Sequence, residues 1–211
     1  MSSLGPVGVA NLAIGWLGAN RITSFDDAAV EAQLVKDNYD AMLGATLESY
    51  EWTFAQKRFI PAALSTPPAW GYTYQFTVPG DILRVHYVGQ NDNIQEDAPC
   101  ANWTREAGPN LDSSVIMCDN SVIYCRGTAR IDDLAAWSEL AAIALAARLG
   151  AEIAMALTNS RNMAESMWSL FGKKIAEADR IDGKQGKARQ IRAPGIINAR
   201  QAGANIIGPR T

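Results

Sequence analysis

The stretch SVIMCDNSVIYCRG, Ser114 to Gly127, decides how the middle of this chain is read. Two runs of β-branched and aromatic residues flank Asp119-Asn120, and both turn residues tolerate positive φ, so the stretch predicts a two-residue hairpin. Working upstream, NWTREAG (102–108) reads as a short strand. YTYQFTV (72–78) and ILRVHYV (82–88) alternate and are separated by the turn residues Pro79-Gly80-Asp81. EWTFAQKRFIPA (51–62) is extended and ends at Pro61, and STPPAWG (65–71) is a loop. Residues 52–130 are therefore expected to form one small antiparallel sheet with a long loop at 89–101.

Helical periodicity lies on both sides of this region. Leu4–Leu17 reads as a short helix ended by Gly18-Ala19-Asn20. Ser24 with Asp27 three residues on gives a capping-box-like start to a helix over about 25–51. Its inner stripe is Ala28, Ala32, Val35, Tyr39, Met42 and Thr46. Downstream, Asp132-Asp133 opens an alanine-rich helix over 132–157, Thr158-Asn159-Ser160 breaks it, and a second helix covers 161–181. The expected fold is mainly α within an α+β class: an antiparallel helical bundle with a small antiparallel β-sheet insertion. The body covers 1–182, and 183–211 is an extended C-terminal arm.

The charge distribution separates these two parts. Residues 1–182 carry 13 Lys+Arg and 22 Asp+Glu, a net −9, whereas 183–211 carry six basic residues and no acidic one. An acidic body with a basic tail predicts a separate partner for the tail. The arm holds five glycines, two prolines and five isoleucines, a composition unsuited to a regular helix. IINAR (Ile196–Arg200) and IIGPR (Ile206–Arg210) repeat one pattern of two apolar anchors and a guanidinium. The start of the chain lacks the basic n-region of a signal peptide. The most apolar run, Leu140–Ala147, is bounded by Glu139 and Arg148 and falls short of the ~20 residues a bilayer needs, so no membrane anchor is expected. Cys100, Cys118 and Cys125 are odd in number, lack metal-type spacing and read as reduced thiols of a protein made in a cytosol.

Motifs for catalysis are absent. The single histidine, His86, falls in an alternating segment and reads as a sheet residue, and no metal or cofactor site is expected. There is no G-x-S-x-G, P-loop or G-x-G-x-x-G. Asp26-Asp27 and Asp132-Asp133 suit helix N-termini, and adjacent acids such as Glu96-Asp97 do not span a glycosidase cleft. Glu48 and Glu51 share a helix face and are the one candidate for acid catalysis. Trp70, Tyr72, Tyr74 and Phe76 could form a stacking platform, but residues 60–80 contain no Lys or Arg to neutralise phosphate.

Several segments in order resemble a known family. They are Ile14, Gly15, Ile22, Ser24 and Asp27; an alanine-rich helix with Tyr39-Asp40; the exit Leu47…Trp52-Thr53-Phe54-Ala55…Arg58; PGDILRVHYV (79–88); and ALAARLGAEIAMALTNS (144–160). Together, over about residues 10–180, the chain resembles the head-to-tail adaptors of tailed bacteriophages, the podophage tail tubular protein A, gatekeeper or connector family. The resemblance implies a structural neck protein of the virion, not an enzyme. Made in host cytoplasm, it would assemble in the virion neck as a ring, commonly dodecameric, beneath the portal ring. There it would extend the DNA channel without recognising sequence, serve genome ejection and carry the tail nozzle.

The resemblance implies that the arm clasps the portal, through Lys184, Lys187, Arg189, Arg192, Ile196, Ile197, Arg200, Ile206, Ile207 and Arg210. Ala142, Ala146 and Gly150 are the expected packing face between subunits. Glu31, Asp37, Asp40, Glu48 and Glu51 are the expected channel-facing acids, since DNA must slide past them. Two other classes stay open. One is a virion-associated peptidoglycan hydrolase using Glu48. The other is a DNA-binding protein using the basic arm.

Overall fold

The computed structural model describes residues 2–92, 99–109 and 113–183. Four helices, α1 (Pro6–Trp16), α2 (Val30–Glu48), α3 (Glu139–Thr158) and α4 (Arg161–Asp182), flank six strands. The strands are β1 (Gln56–Phe59), β2 (Tyr74–Thr77), β3 (Ile82–Gly89), β4 (Trp103–Ala107), β5 (Ser114–Cys118) and β6 (Tyr124–Ala129). Short 3-10 turns at Thr53–Ala55 and Leu134–Ala136 join the two regions.

The expected architecture is corrected here. The strands form two three-stranded antiparallel sheets, ordered β1-β6-β3 and β2-β5-β4, and the chain is 46% helix and 20% strand. This is a mixed α+β fold, not a helical bundle carrying one small sheet. The error lies in Ser114–Gly127. β5 and β6 are consecutive but belong to different sheets, so Asp119-Asn120 is a crossing between sheets and not a hairpin turn. Asp119 Oδ1 accepts hydrogen bonds from the Thr73 N–H and hydroxyl, both at 3.0 Å, which fastens the crossing to the chain just before β2. Both sheets turn apolar faces toward one core of Phe76, Val78, Ile82, Val85, Val88, Cys100, Ile116, Cys118, Ile123, Cys125 and Ala129. Pairing β5 with β6 would have left this interior exposed on both sides.

β3 carries two register shifts against β6, between Ile82 and Arg84 and between Val85 and Tyr87. Gly127 sits opposite. A Cβ there would stand 2.4 Å from the Arg84 carbonyl oxygen, so only glycine permits the approach. In β2 the expected alternation fails because Gln75 and Phe76 are both buried. The segment 62–66 lies along β2, with the Leu64 N–H donating to Gln75 O and Gln75 Nε2 donating to Thr66 O.

The helix starts also shift. α2 begins at Val30, not near Phe25, and Ala28 is exposed. Asp27 folds back on its own turn, accepting from Thr23 N at 2.7 Å and Ser24 N at 3.2 Å, so it closes a loop instead of capping the helix. Asp133 caps only the 3-10 turn, through Ala135 N. α3 starts at Ser138, whose hydroxyl accepts from Ala141 N, and ends at Asn159 in the left-handed region, φ 49°. Ser160 then caps α4 through Met163 N.

α3 is the central helix and packs against α1, α2 and α4. Eleven of its twenty residues are buried. Its length and apolarity alone would suit a membrane span, yet the apolar window is 61% buried by the rest of the chain. The small residues let neighbours come close. A Cβ on Gly150 would lie 2.6 Å from Met167 Cε of α4 and 3.6 Å from Ala13 of α1.

Trp137, fully buried just before α3, is expected to be the most sensitive core position. Trp137→Ala should cost about 3–5 kcal/mol, read as a lowered urea midpoint. A loss below about 1 kcal/mol would show that the site collapses around the gap and is not central to the core.

Candidate functional site

The residues with most chemical potential meet where α2 ends and the first sheet begins. His86 of β3 lies between Thr128 of β6 and Glu51 of the turn after α2. Its Nε2 is 2.6 Å from Thr128 Oγ1 and its Nδ1 is 3.1 Å from Glu51 Oε1. Carboxylate, imidazole and hydroxyl are the residue types of a nucleophilic triad. Access is what they lack, because Thr128 is fully buried and the His86 side chain is 2% exposed. Two shallow depressions among the described residues lie elsewhere. One, of about 480 Å³, runs over Asn162, Glu165, Ser166, Ser169 and Lys173 of α4. The other, of about 360 Å³, lies between Leu64–Thr66, Gln75, Thr77, Pro109 and Ser113. The His86 group is therefore a brace tying the sheet to the end of α2, reinforced by Arg84 Nη1 donating to Glu48 O at 3.4 Å. Burial holds His86 below the ordinary imidazole value, Glu51 opposes this, and Arg84 and Arg126 add to the lowering. The sequence placed His86 in its strand but gave no sign of Glu51 or Thr128 as partners, since bulged pairing brings them together.

Beside this brace is the root of the C-terminal arm. Asp182, the last residue of α4, is buried, and one carboxylate oxygen accepts from Thr53 N at 2.7 Å and Thr53 Oγ1 at 2.9 Å. One turn earlier, Asp179 is hydrogen-bonded to the Tyr50 hydroxyl, and this bond, helped by burial, pushes the phenol up to about 12. The same segment carries a run of aromatic rings in contact. Tyr50 meets Trp52 edge-on at 5.1 Å, Trp52 meets Phe54 at 5.7 Å, and Phe54 meets Trp137 at 5.4 Å. The end of α4 is thus held by a buried carboxylate against the segment that carries these rings. The sequence gave no signal for this, because Thr53 and Asp182 are 129 residues apart.

The expected site residues divide on inspection. Ala142 and Ala146 are fully buried inside this chain, and Gly150 is buried against Met167 and Ala13. That face of α3 is covered by the chain's own helices and offers no surface to a neighbouring subunit, which corrects the expectation. Among the acids, Glu31 bonds Asn20, Asp40 pairs with Arg130, which also holds Asp132, and Glu51 pairs with His86. Asp37 and Glu48 stand exposed along α2. The arm residues Lys184, Lys187, Arg189, Arg192, Ile196, Ile197, Arg200, Ile206, Ile207 and Arg210 lie outside the described residues. Exposed apolar side chains include Ile60, Leu64, Trp70 and Tyr74 around the 60–74 segment, Trp168 and Ile181 on α4, and Val30, Val122 and Met155 elsewhere. Trp70, 85% exposed, lies next to Gly71, whose φ is +87°.

Two outcomes follow from this geometry. Burial lowers the folded value of His86 below the 6.5 of the unfolded chain. The unfolded state binds the extra proton, and the His86 contribution is complete above pH 6.5 and lost as pH falls through the lowered value. Wild type should lose more stability than His86→Gln between pH 7.5 and 5.5, measured by urea unfolding, and parallel losses would remove the brace. Asp182→Ala should cost about 1.5–3 kcal/mol, the range for hydrogen bonds to a charged group. It should also speed amide exchange over the last turn of α4, and unchanged exchange there would mean the carboxylate does not hold the root.

Comparison with models of protein families and with curated proteins gave no match to this chain.

Proposed function

We propose that this chain is a structural assembly protein that attaches to a larger ring through its C-terminal arm, in the manner of a head-to-tail adaptor in the neck of a tailed bacteriophage. The observation that carries the reading is the anchored root. α4 delivers an arm of six basic residues and two Ile-Ile pairs from a point held by Asp182 against Thr53. A tether serves an arm that bears load. The charge split favours the same reading, because a net −9 body gives a +6 arm no reason to follow DNA alone.

Support also comes from the order of the resembling segments. Trp52-Thr53-Phe54 and ALAARLGAEIAMALTNS are distant in sequence, yet Trp52 and Leu145 share one core cluster with Leu47, Trp137 and Ala146. The bundle architecture that the resemblance implied is not part of the proposal, which rests on the segments and the arm. In this role the protein docks as a homo-oligomeric ring under the portal, the arm orders on the portal surface, DNA passes through, and the nozzle joins below. Ring geometry multiplies the contact of each arm. The hydrolase reading finds no support, since Glu51 is engaged by His86 and Glu48 lies on an open helix end.

Electron microscopy of the protein mixed with the portal ring of its own phage tests this, with the full chain beside a chain ending at Asp182. Full-length protein should decorate the portal as a ring, and the shortened chain should not. Equal decoration by both would remove the arm from the mechanism. No decoration by either, with salt-dependent DNA binding by the full chain alone, would replace the adaptor reading with the DNA-binding one.

A further inference from the structure

The first sheet, β1-β6-β3, has a second face that the core does not use. Ile82, Val85, Val88, Cys125 and Ala129 belong to the core between the sheets, and Phe59 packs against it. Strand alternation therefore puts Arg58, Tyr124 and Arg126 on the opposite face. The two register shifts in β3 each add one residue, so that Arg84 and Tyr87 both join that face. Arg58 stands opposite Arg126, and Arg126 opposite Tyr87, in one row across the three strands. The end of the face beside α2 is covered, where Thr128 is fully buried and Glu51 reaches His86. Away from that end, Arg58 and Arg84 are exposed, and Tyr87, Tyr124 and Arg126 are half-buried.

This face leaves charge and hydrogen-bonding capacity unmatched. Neighbouring strands lie about 4.8 Å apart, and like charges directly opposite are destabilising. Yet Arg58 faces Arg126, and among the described residues none of the three arginines forms an ion pair. Arg84 has only its long bond to the Glu48 carbonyl, at 3.4 Å. Arg126 Nε and the Tyr87 hydroxyl are buried without a hydrogen-bond partner, a cost that a bound acceptor would remove. The Tyr87 ring lies over Gly89, where a Cβ would stand 2.5 Å from its Cε1 and 2.6 Å from its hydroxyl. Gly89 is the register partner of Tyr124, so the missing side chain leaves Tyr87 room to lie along the sheet toward the Tyr124 row.

We propose that this face binds a single nucleic-acid strand, with Arg58, Arg84 and Arg126 taking its phosphates and Tyr87 and Tyr124 offering ring surface to its bases. Guanidinium groups along a backbone and aromatic faces for unstacked bases are the two things such a strand requires. The aromatic run from Trp70 to Phe76 has rings without charge, whereas here both share one surface. An acidic peptide would satisfy the arginines and leave both rings unused. A duplex keeps its bases stacked inside, out of reach of a sheet face. The net −9 of residues 1–182 holds the affinity down, but salt screens over about 8 Å at physiological strength, so local charge decides the contact. The face belongs to the body, so the inference stands apart from the arm and from any ring.

The test uses the full chain and a dye-labelled oligothymidylate of about twelve nucleotides, with binding read by fluorescence anisotropy between about 50 and 200 mM salt. Arg58→Gln and Arg126→Gln should each weaken binding roughly threefold and lower the salt slope by about 0.7. Arg58 is exposed, so its variant should keep the wild-type urea midpoint, which separates lost binding from lost folding. The basic arm can also hold DNA, so the contact is mapped directly. An oligonucleotide carrying iododeoxyuridine, cross-linked by light, should be found on the peptides that carry Tyr87 or Tyr124. Lys187→Gln combined with Arg189→Gln should leave those cross-links in place. Cross-links confined to residues 183–211, or arginine variants that bind like wild type, would overturn the proposal. Displacement of the strand by polyglutamate of equal charge would also overturn it and give the face to an acidic protein partner. Displacement by inorganic phosphate at equal phosphate concentration would overturn it in favour of a free oxyanion.

Discussion

The fold depends on a row of aromatic rings at the junction of its two halves. Tyr50, Trp52, Phe54 and Trp137 touch ring to ring in sequence, and the two indoles are pinned by hydrogen bonds, Trp52 Nε1 to Thr46 O at 2.9 Å and Trp137 Nε1 to Ile131 O at 3.1 Å. The first three residues lead out of α2 toward β1, and Trp137 leads from β6 into α3. The row therefore clamps the chain at both passages between helices and strands. Buried indoles supply large apolar area, and their N–H groups must find acceptors, so the position of each ring is specified in both respects. Asp182 reaches the same place and fastens the end of the last helix to it.

Around that junction the two halves solve different problems. The helices bury α3, whose alanines and Gly150 allow close approach by α1 and α4. The strands cannot bury their apolar faces against so short a helical surface and instead face each other as two sheets. The thiols collect in the sheet core, where small, weakly polar side chains pack readily. His86 sits at the seam, where bulges in β3 aim it at Glu51.

Among the described residues, the acid–imidazole–hydroxyl group is interior and Asp182 ties the end of α4 to Thr53. A buried acid–imidazole–hydroxyl arrangement has the parts of a catalyst without an opening, so its contribution is mechanical. Of the residues expected to act, the alanine face of α3 proved interior, and of the expected acids Glu31, Asp40 and Glu51 have partners while Asp37 and Glu48 stand exposed.

The sequence by itself determined the helices as elements, the six strand segments, the break at Thr158–Ser160 and the charge division between body and arm. These are local properties, carried by periodicity, turn residues and composition. It misplaced the starts of α2 and α3 because Asp27 and Asp133 cap turns as readily as helices, and the choice rests on what packs behind them. Only the tertiary structure decided that β5 and β6 part into separate sheets, since Asp119 finds Thr73 and both strands face a common core. It alone set Asp182 on Thr53 and Glu51 on His86. Each of these joins residues far apart in the chain, and which pair meets depends on how the strands are ordered in space.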